Sequence, residues 1–258
     1  MKLFPVKTKV IKTGDDLVEI CLESLKKQNL QLEDNDVLAV ASKAVSYAEG
    51  RLARLSEVKP SKKAEVMAKK HSLRPEFAEL ILREADRIYG GVQKAVLTLK
   101  DSVLAPNAGI DSKNAPDDCV VLWPTDARRW ALSFREEIKR KTGKRIAVLV
   151  VDSGLFPLRI GTSGLALAVA GFKPIRDFRK ARDLYGKPIL ITRLAVADDL
   201  ASAAHLLMGE ATEQTPMVLI KDAPVDFDDG AYDHRDMMME PKECIFMGTF
   251  SLGFRGSK

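Results

Sequence analysis

Six consecutive apolar residues, Ile146 to Val151, follow a basic turn and end at Asp152. A continuous apolar run of this length predicts a strand buried on both faces, because a strand with one wet face would alternate apolar and polar residues. The run from Asp36 to Ala41 predicts a second buried strand. A carboxylate at the end of such a strand is a usual place for a ligand-binding group, and also for a helix cap.

The remaining periodicity predicts helices and strands without regular βαβ alternation, which favours an α+β fold over a doubly wound sheet. Asp126 to Thr142 is typical of an amphipathic helix that a C-terminal glycine, Gly143, brings to its end. Helices are further predicted to begin at Asp15 and to span Lys62 to Lys70, Pro75 to Arg87 and Ala197 to Met208. Strands are predicted at Val92 to Leu99, Ile189 to Val196 and Met217 to Ile220, and Leu165 to Phe172 is a further apolar run. A turn region is predicted at Ser42 to Gly50 and irregular acidic surface from Asp222 to Asp229.

The length of 258 residues is enough for one large core or two domains. We predict two subdomains: a core made of residues 1–125 and 196–258, and a smaller inserted unit at 126–195. The net charge of +5 is mild and interleaved with acids, so it favours anionic small molecules and gives no support for nucleic-acid binding.

The sequence has no run of about 18 apolar residues and no secretory leader, so we expect a cytoplasmic protein without a membrane span. Its three cysteines are far apart and form no C-x-x-C pair. They therefore predict neither a disulfide framework nor a zinc site.

The segment from Asn107 to Asn114 is small, polar and rich in turn-forming residues, and it lies between two apolar runs. Gly109 permits backbone angles that other residues avoid, and Asp111 is the segment's one carboxylate. The residues alone predict a loop in which Asp111 caps a turn.

The same segment, Asn-Ala-Gly-Ile-Asp followed three residues later by Asn, resembles the metal- and nucleotide-binding turn of the F420-0:gamma-glutamyl ligase (CofE) family. Two later segments match that family in the same order, and supporting matches extend the similarity over about residues 5 to 222. The later segments are Val150-Val151-Asp152-Ser153 with Pro157, Arg159 and Gly161 after it, and Ala197 to Pro216.

The resemblance implies a mixed-sheet fold and a GTP-dependent amide ligase. Such an enzyme adds L-glutamate in gamma linkage to the deazaflavin coenzyme F420 precursor through an acyl phosphate. It also implies a homodimer with the active site near the subunit interface. Phosphoryl transfer depends on positioning and charge neutralisation, which divalent cations held by oxygen ligands supply.

By the family's pattern, the ligands of two Mg²⁺ or Mn²⁺ sites would be Asp111, Asp152 and Glu210, with the Ser153 hydroxyl; K⁺ is a further candidate ion. Only a fold can bring together carboxylates that are about a hundred residues apart. Arg159 is the candidate partner for a phosphate or carboxylate. The implied nucleotide contacts are Thr8, Lys9, Val10, Ile11, Ser42, Lys43, Asn114, Met208, Gly209, Thr212 and Thr215.

Three departures from the family pattern leave alternatives open. Phe156 stands where the family has an arginine, and Tyr47 stands where it often has a lysine that Lys43 could replace. The glycine-rich run after Glu210 is replaced by Ala211 to Thr215, which brings a further acid at Glu213. A paralogue that ligates an amino acid to a different acid, or a non-catalytic binding protein on the same fold, therefore remains an alternative. His205, alone on its helix, is more often a structural residue.

Overall fold

The computed structural model describes residues 1–251. The strands are β1 (Lys2–Val6), β2 (Val37–Ala41), β3 (Leu52–Arg54), β4 (Arg87–Val92), β5 (Ala95–Lys100), β6 (Val103–Pro106), β7 (Cys119–Val121), β8 (Ala147–Gly154), β9 (Ser163–Phe172), β10 (Arg176–Asp177), β11 (Arg193–Leu194), β12 (Met217–Lys221) and β13 (Phe227–Asp233). The helices are α1 (Leu17–Lys27), α2 (Ser42–Ala48), α3 (Lys62–His71), α4 (Pro75–Glu84), α5 (Ala127–Thr142), α6 (Val196–Met208), α7 (His234–Met237) and α8 (Ile245–Ser251). Among these residues no helix is long and apolar enough to cross a membrane.

A six-stranded mixed sheet in the order β1-β12-β2-β8-β9-β13 forms the centre of the molecule and confirms the α+β class. All of its neighbouring pairs are antiparallel except β2 and β8, which run parallel with Val37 opposite Ala147 and Ala41 opposite Val151. Their carboxyl ends therefore meet at one edge of the sheet, where Ser42 and Asp152 follow the paired residues.

Helices cover both faces of the sheet, which explains why β8 is apolar without alternation. Val148 and Val150 pack on the face covered by α1 and α5, beside Phe134. Leu149 and Val151 pack on the opposite face, covered by α6. The predicted buried strand is thus confirmed, and its two faces belong to two separate cores.

The N-terminal half of α6 is fixed by a close approach to β9. At Gly164 an added Cβ would lie 2.2 Å from the carbonyl oxygen of Ala201, so only glycine permits this packing. Asp198 in the first turn of α6 accepts a hydrogen bond from the backbone of Ala166 at 2.9 Å. These contacts position Met208 and the loop that follows.

A small lobe, residues 52–122, adds a second core beside the main sheet. It contains α3, α4, the β3–β7 pair and the β4-β5-β6 sheet. The larger of its own buried clusters consists of Leu55, Leu80, Ile81, Ile110, Val120 and Leu122.

The predicted inserted unit at 126–195 differs from the structure, because β8 and β9 are neighbouring strands of the main sheet. Only the short β10–β11 pair of that range stands apart from it. The smaller unit is instead the lobe at 52–122, within the range expected to be core.

Three local predictions are also corrected. The turn expected at Ser42 to Gly50 contains α2, whose Ser42 and Val45 are buried against the end of β2. Of the strand expected at Ile189 to Val196, only the two residues of β11 form a strand. The apolar side chains before them lie in an exposed arm, the segment between β10 and β11. The acidic stretch ending at Asp229 lies partly in β13, because an edge strand can turn carboxylates to solvent.

Candidate functional site

A cleft of about 780 Å³ opens at the shared carboxyl edge of β2 and β8, between the C-terminal end of α6 and the Asn107 to Asn114 turn. Every residue predicted to contact nucleotide or metal lines it. These residues are Thr8, Lys9, Val10, Ile11, Ser42, Lys43, Asp111, Asn114, Asp152, Ser153, Met208, Gly209, Glu210, Thr212 and Thr215. Their roles stay predictions, but the fold brings them to one place.

Arg159 is the exception among the predicted site residues. It lies in the exposed loop between β8 and β9, and it does not line the cleft. Phe156 in the same loop is 54% exposed. In the single chain, Arg159 thus lies outside the cleft that was expected to hold its phosphate or carboxylate partner.

Asp152 is held at the end of β8 by a neutral donor on each of its oxygens. The Ser42 hydroxyl donates to Oδ1 at 3.0 Å, and the Trp123 indole N–H donates to Oδ2 at 2.5 Å. Burial raises the pKa of Asp152 above its usual value, against these hydrogen bonds and the nearby Lys43 charge, which act to lower it. The next residue, Ser153, is fixed by pairing with Gly164.

Asp111 follows a strained turn. Asn107, Ala108 and Gly109 have φ of 52°, 55° and 71°, in the left-handed region that costs a non-glycine residue about 1–3 kcal/mol. The buried Thr98 hydroxyl accepts from the Ala108 N–H at 2.9 Å, and the Asn107 side chain accepts from Val96 N–H at 2.9 Å. The small lobe therefore holds a turn that would not persist alone.

Two lysines neutralise the carboxylates of the cleft. Lys43 Nζ donates to Asp111 Oδ2 at 2.5 Å and to the carbonyl of Lys113 at 3.0 Å. Lys113 Nζ donates to Glu210 Oε2 at 2.7 Å, and this hydrogen bond raises the pKa of Lys113. The two ion pairs link the Asp111 turn to α2 on one side and to the end of α6 on the other.

Glu210 receives two further hydrogen bonds, from Thr162 Oγ1 at 2.7 Å and from His205 Nε2 at 2.9 Å. Burial of the carboxylate opposes its ionisation. The hydrogen bonds from Lys113, Thr162 and His205 outweigh that burial and lower the pKa of Glu210 to about 2.

The donor set fits a divalent cation at Asp111 and Asp152 better than at Glu210. No group of three or more His, Cys, Asp or Glu within residues 1–251 is arranged to hold a metal ion. Mg²⁺, however, usually takes one or two carboxylates, with waters and substrate phosphates completing its shell. Asp111, Asp152 and the Ser153 hydroxyl supply hard oxygen donors of that kind. Each oxygen of Asp111 and Asp152 accepts a hydrogen bond from the chain, whereas Glu210 accepts three from side chains.

The loop after α6 turns its backbone N–H groups toward an internal carboxylate. The Glu213 side chain accepts from Ala211 N–H at 2.8 Å. Backbone hydrogen bonds from Glu213, Ala211 and Glu210 together lower its pKa. The loop is joined to the Asp111 turn by the Asn114 side-chain amide, which donates to the Ala211 carbonyl at 2.7 Å.

Sequence reasoning missed Trp123, Lys113 and Thr162, and treated His205 as structural. Lys113 lies two residues after Asp111, so its closeness to the site was visible. Trp123 and Thr162 carry no local signal, because only the fold brings them to Asp152 and Glu210.

Known proteins resemble this chain over most of its length. The model of the F420-0:Gamma-glutamyl ligase family matches residues 5–222. The coenzyme F420:L-glutamate ligase of Methanopyrus kandleri is 36% identical over 94% of this chain and 95% of its own length. Those of Methanothermobacter thermautotrophicus and Archaeoglobus fulgidus are 36% and 34% identical over 83% and 86% of the chain, and over 86% and 87% of their own lengths.

The hydrogen bonds at Glu210 generate a pH-dependent contribution to stability. Its pKa in the folded protein is about 2, against a usual 4.5. Its contribution is therefore fully present above about pH 4.5 and is lost as the pH falls toward about 2. In thermal unfolding without added cations, the Tm difference between wild type and Glu210→Gln should be largest above pH 4.5 and shrink below it. Glu136→Gln, at an exposed site on α5, should give a small Tm difference from wild type at every pH. A Tm difference for Glu210→Gln that does not change with pH would contradict the prediction.

Proposed function

Because the chain belongs to the F420-0:gamma-glutamyl ligase family, we propose that it joins L-glutamate to a coenzyme F420 precursor by forming an amide bond. The observation that carries the proposal is the single cleft at the β2–β8 edge, lined by all the residues expected to contact nucleotide and cation. The relatives named above are ligases of this kind and match nearly the full chain, which supports the same reaction class here.

In the proposed reaction, GTP phosphorylates the acceptor's carboxylate, and the amine of glutamate then attacks the acyl phosphate and releases phosphate. The carbon–nitrogen bond forms as the carbon–oxygen bond to phosphate breaks, and the amine loses a proton. A divalent cation bound at Asp111 and Asp152 would neutralise phosphate charge and hold the transferred group in line. The chain supplies positioning rather than a covalent intermediate.

In this scheme Lys43 and Lys113 can pair either with a carboxylate of the cleft or with a phosphate group. In the structure they neutralise Asp111 and Glu210. When a cation takes over Asp111, the Lys43 ammonium is released at the wall of the same cleft. A point charge of this kind suits a phosphate oxygen, so ion exchange at Asp111 would prepare the cleft for nucleotide.

One observation favours the second candidate, a binding protein or a ligase with a different acceptor. The Glu213 carboxylate occupies the backbone N–H groups of the loop after α6, which in a glycine-rich loop would cradle phosphate. A nucleotide must displace this carboxylate before it can use those donors. The backbone donors of this loop are thus less accessible to phosphate than those of a glycine-rich loop at the same position.

We also propose that the chain forms a homodimer. Its loop between β8 and β9 and the arm between β10 and β11 expose large apolar side chains: Leu158 105%, Ile160 107%, Leu184 101%, Leu190 74% and Ile191 85%. Clusters of exposed apolar side chains on a loop often mark an interaction site. Arg159 lies in the loop between β8 and β9, so a second copy that covers these loops would also change the surroundings of Arg159.

Ligase activity is tested by incubating the protein with GTP, Mg²⁺, L-glutamate and the F420 precursor. Mass spectrometry should detect the glutamate adduct, and released phosphate should match it mole for mole. Asp111→Asn and Asp152→Asn should each lower the rate by about 10²–10³, the usual cost of removing one electrostatic group from such a site. Asp199→Asn, an exposed acid on α6, should leave it unchanged.

Two outcomes would count against this activity in different ways. Asparagine variants as fast as wild type would remove the carboxylates from the mechanism. Nucleotide binding without product or phosphate release would favour the binding protein or another acceptor, and replacement of GTP by ATP in the same assay would identify the nucleotide.

Glu213→Ala should strengthen GTP binding about tenfold, because it frees backbone donors and removes a negative charge, together worth roughly one charge-assisted hydrogen bond. Titration calorimetry with Mg²⁺ present measures the effect. Glu136→Ala makes the same charge change on α5, away from the cleft, and should leave affinity as it is. Weaker binding by Glu213→Ala would mean that Glu213 supports the loop and does not compete with phosphate.

The dimer is tested by light scattering after size exclusion. Wild type should have twice the mass of the chain, and the double variant Leu190→Asp/Ile191→Asp should be monomeric, because two buried carboxylates would have no partner. Val66→Asp, equally exposed but on α3 of the small lobe, should remain dimeric. A monomeric wild type would refute the proposal.

A further inference from the structure

Trp123 lies where the small lobe meets the main sheet, and its position is set by contacts on several sides. It lies two residues after the end of β7, and its side chain is only 6% exposed. The ring belongs to the core beneath α1 and α5. Its single polar atom, Nε1, points away from that core toward the cleft carboxylate Asp152.

The ring packs directly against the turn that carries Asp111. An ideal Cβ added at Gly109 would lie 2.2 Å from both Nε1 and Cε2 of Trp123, a distance that no real contact reaches. The glycine is therefore required by this ring as well as by its φ of +71°. Asp111 is two residues further along the chain, so the face of the Trp123 ring restricts the position of the Asp111 carboxylate.

The N–H edge of the same ring holds Asp152. Nε1 donates to Oδ2 at 2.5 Å while Ser42 donates to Oδ1 at 3.0 Å, so each carboxylate oxygen accepts one side-chain hydrogen bond, and the Ser153 backbone donates a further one to the same group. Hydrogen bonds of this type fix the rotation of a ligating carboxylate, and their loss typically costs 10–100-fold in metal affinity. An apolar residue at position 123 would fill the core equally well but would leave Oδ2 without this donor.

Trp123 is itself anchored to the small lobe. Its carbonyl accepts from Arg51 Nε at 3.0 Å, and the other end of the Arg51 guanidinium binds Glu84 at 3.2 Å. Glu84 in turn pairs with Lys100 at 2.7 Å. The three charged side chains are largely shielded from solvent, so they form a fixed support and not a loose surface pair.

We infer that Trp123 is a positioning residue. With one ring it sets the separation between Asp152 and the Asp111 turn, and so determines how tightly the cleft holds a divalent cation. The inference rests on the proposed function, because it presupposes that these two carboxylates bind the cation. It adds a residue outside the predicted ligands, acting through the orientation of one of them.

The first test compares Trp123→Phe with Trp130→Phe, which removes the other tryptophan from α5, outside the cleft. Phenylalanine keeps an aromatic ring against Gly109 and removes only the N–H donor and part of the ring. Titration calorimetry with Mn²⁺ alone should give 10–100-fold weaker binding for Trp123→Phe and wild-type binding for Trp130→Phe. Thermal unfolding of each variant shows whether a loss of affinity accompanies a loss of folding.

The second test observes the hydrogen bond itself. Trp130→Phe leaves Trp123 as the one tryptophan, so its indole N–H gives a single NMR signal. A bond to a carboxylate should place that signal downfield. It should move upfield in Trp130→Phe/Asp152→Asn and shift when Mg²⁺ is added to Trp130→Phe, a response that a purely structural tryptophan would not give.

The outcomes separate this inference from the proposed function. Two results would overturn the role of Trp123 and leave the ligase proposal unaffected. One is wild-type Mn²⁺ affinity in Trp123→Phe, and the other is an indole signal that does not shift with Asp152→Asn or with Mg²⁺. If wild type itself binds no Mn²⁺, the inference falls together with the cation part of the proposed function. In that case the ligase assay still decides the reaction.

Discussion

The parallel pairing of β2 with β8 is the constraint on which the rest of the site depends. It is the one parallel pair in a sheet whose other pairs are antiparallel, and it brings two carboxyl ends to the same edge. Ser42 and Lys43 begin α2 just after β2, and Asp152 and Ser153 are among the last residues of β8. Ligands of open sheets bind at such edges, because side chains from successive segments converge there.

Charge balance sets the second condition on the cleft. Asp111, Asp152 and Glu210 would repel one another if they were all ionised in one half-buried space without cations. The chain offsets this with Lys43 and Lys113, and with neutral donors from Ser42, Trp123, Thr162 and His205. A cation bound at Asp111 and Asp152 would therefore replace an existing partner rather than fill an empty space, so its affinity would depend on how readily Lys43 leaves Asp111.

The sequence predicted the elements whose signal is local. The buried strand β8, the helix ended by Gly143 and the apolar run of β9 follow from periodicity and capping, which neighbouring residues decide. The cleft residues were found through the family resemblance, because Asp111, Asp152 and Glu210 are separated along the chain. The boundary at residues 126–195 was wrong, because chain order does not show which strands pair. Trp123 was missed for the same reason, since an apolar residue after a strand is typical of any core.

The departures from the family pattern share one physical consequence. Tyr47 donates to the carbonyl of Asn114 at 2.6 Å, and Glu213 binds the backbone of its own loop at Ala211. Both are contacts within the chain at positions where a ligand-facing group was expected. Each such hydrogen bond contributes free energy that is lost when a ligand breaks it. A ligand that enters must recover that energy through its own contacts, so the cleft favours one able to replace both partners at once. A ligand large enough to reach both positions meets this condition better than inorganic phosphate, which can replace only one of the two partners.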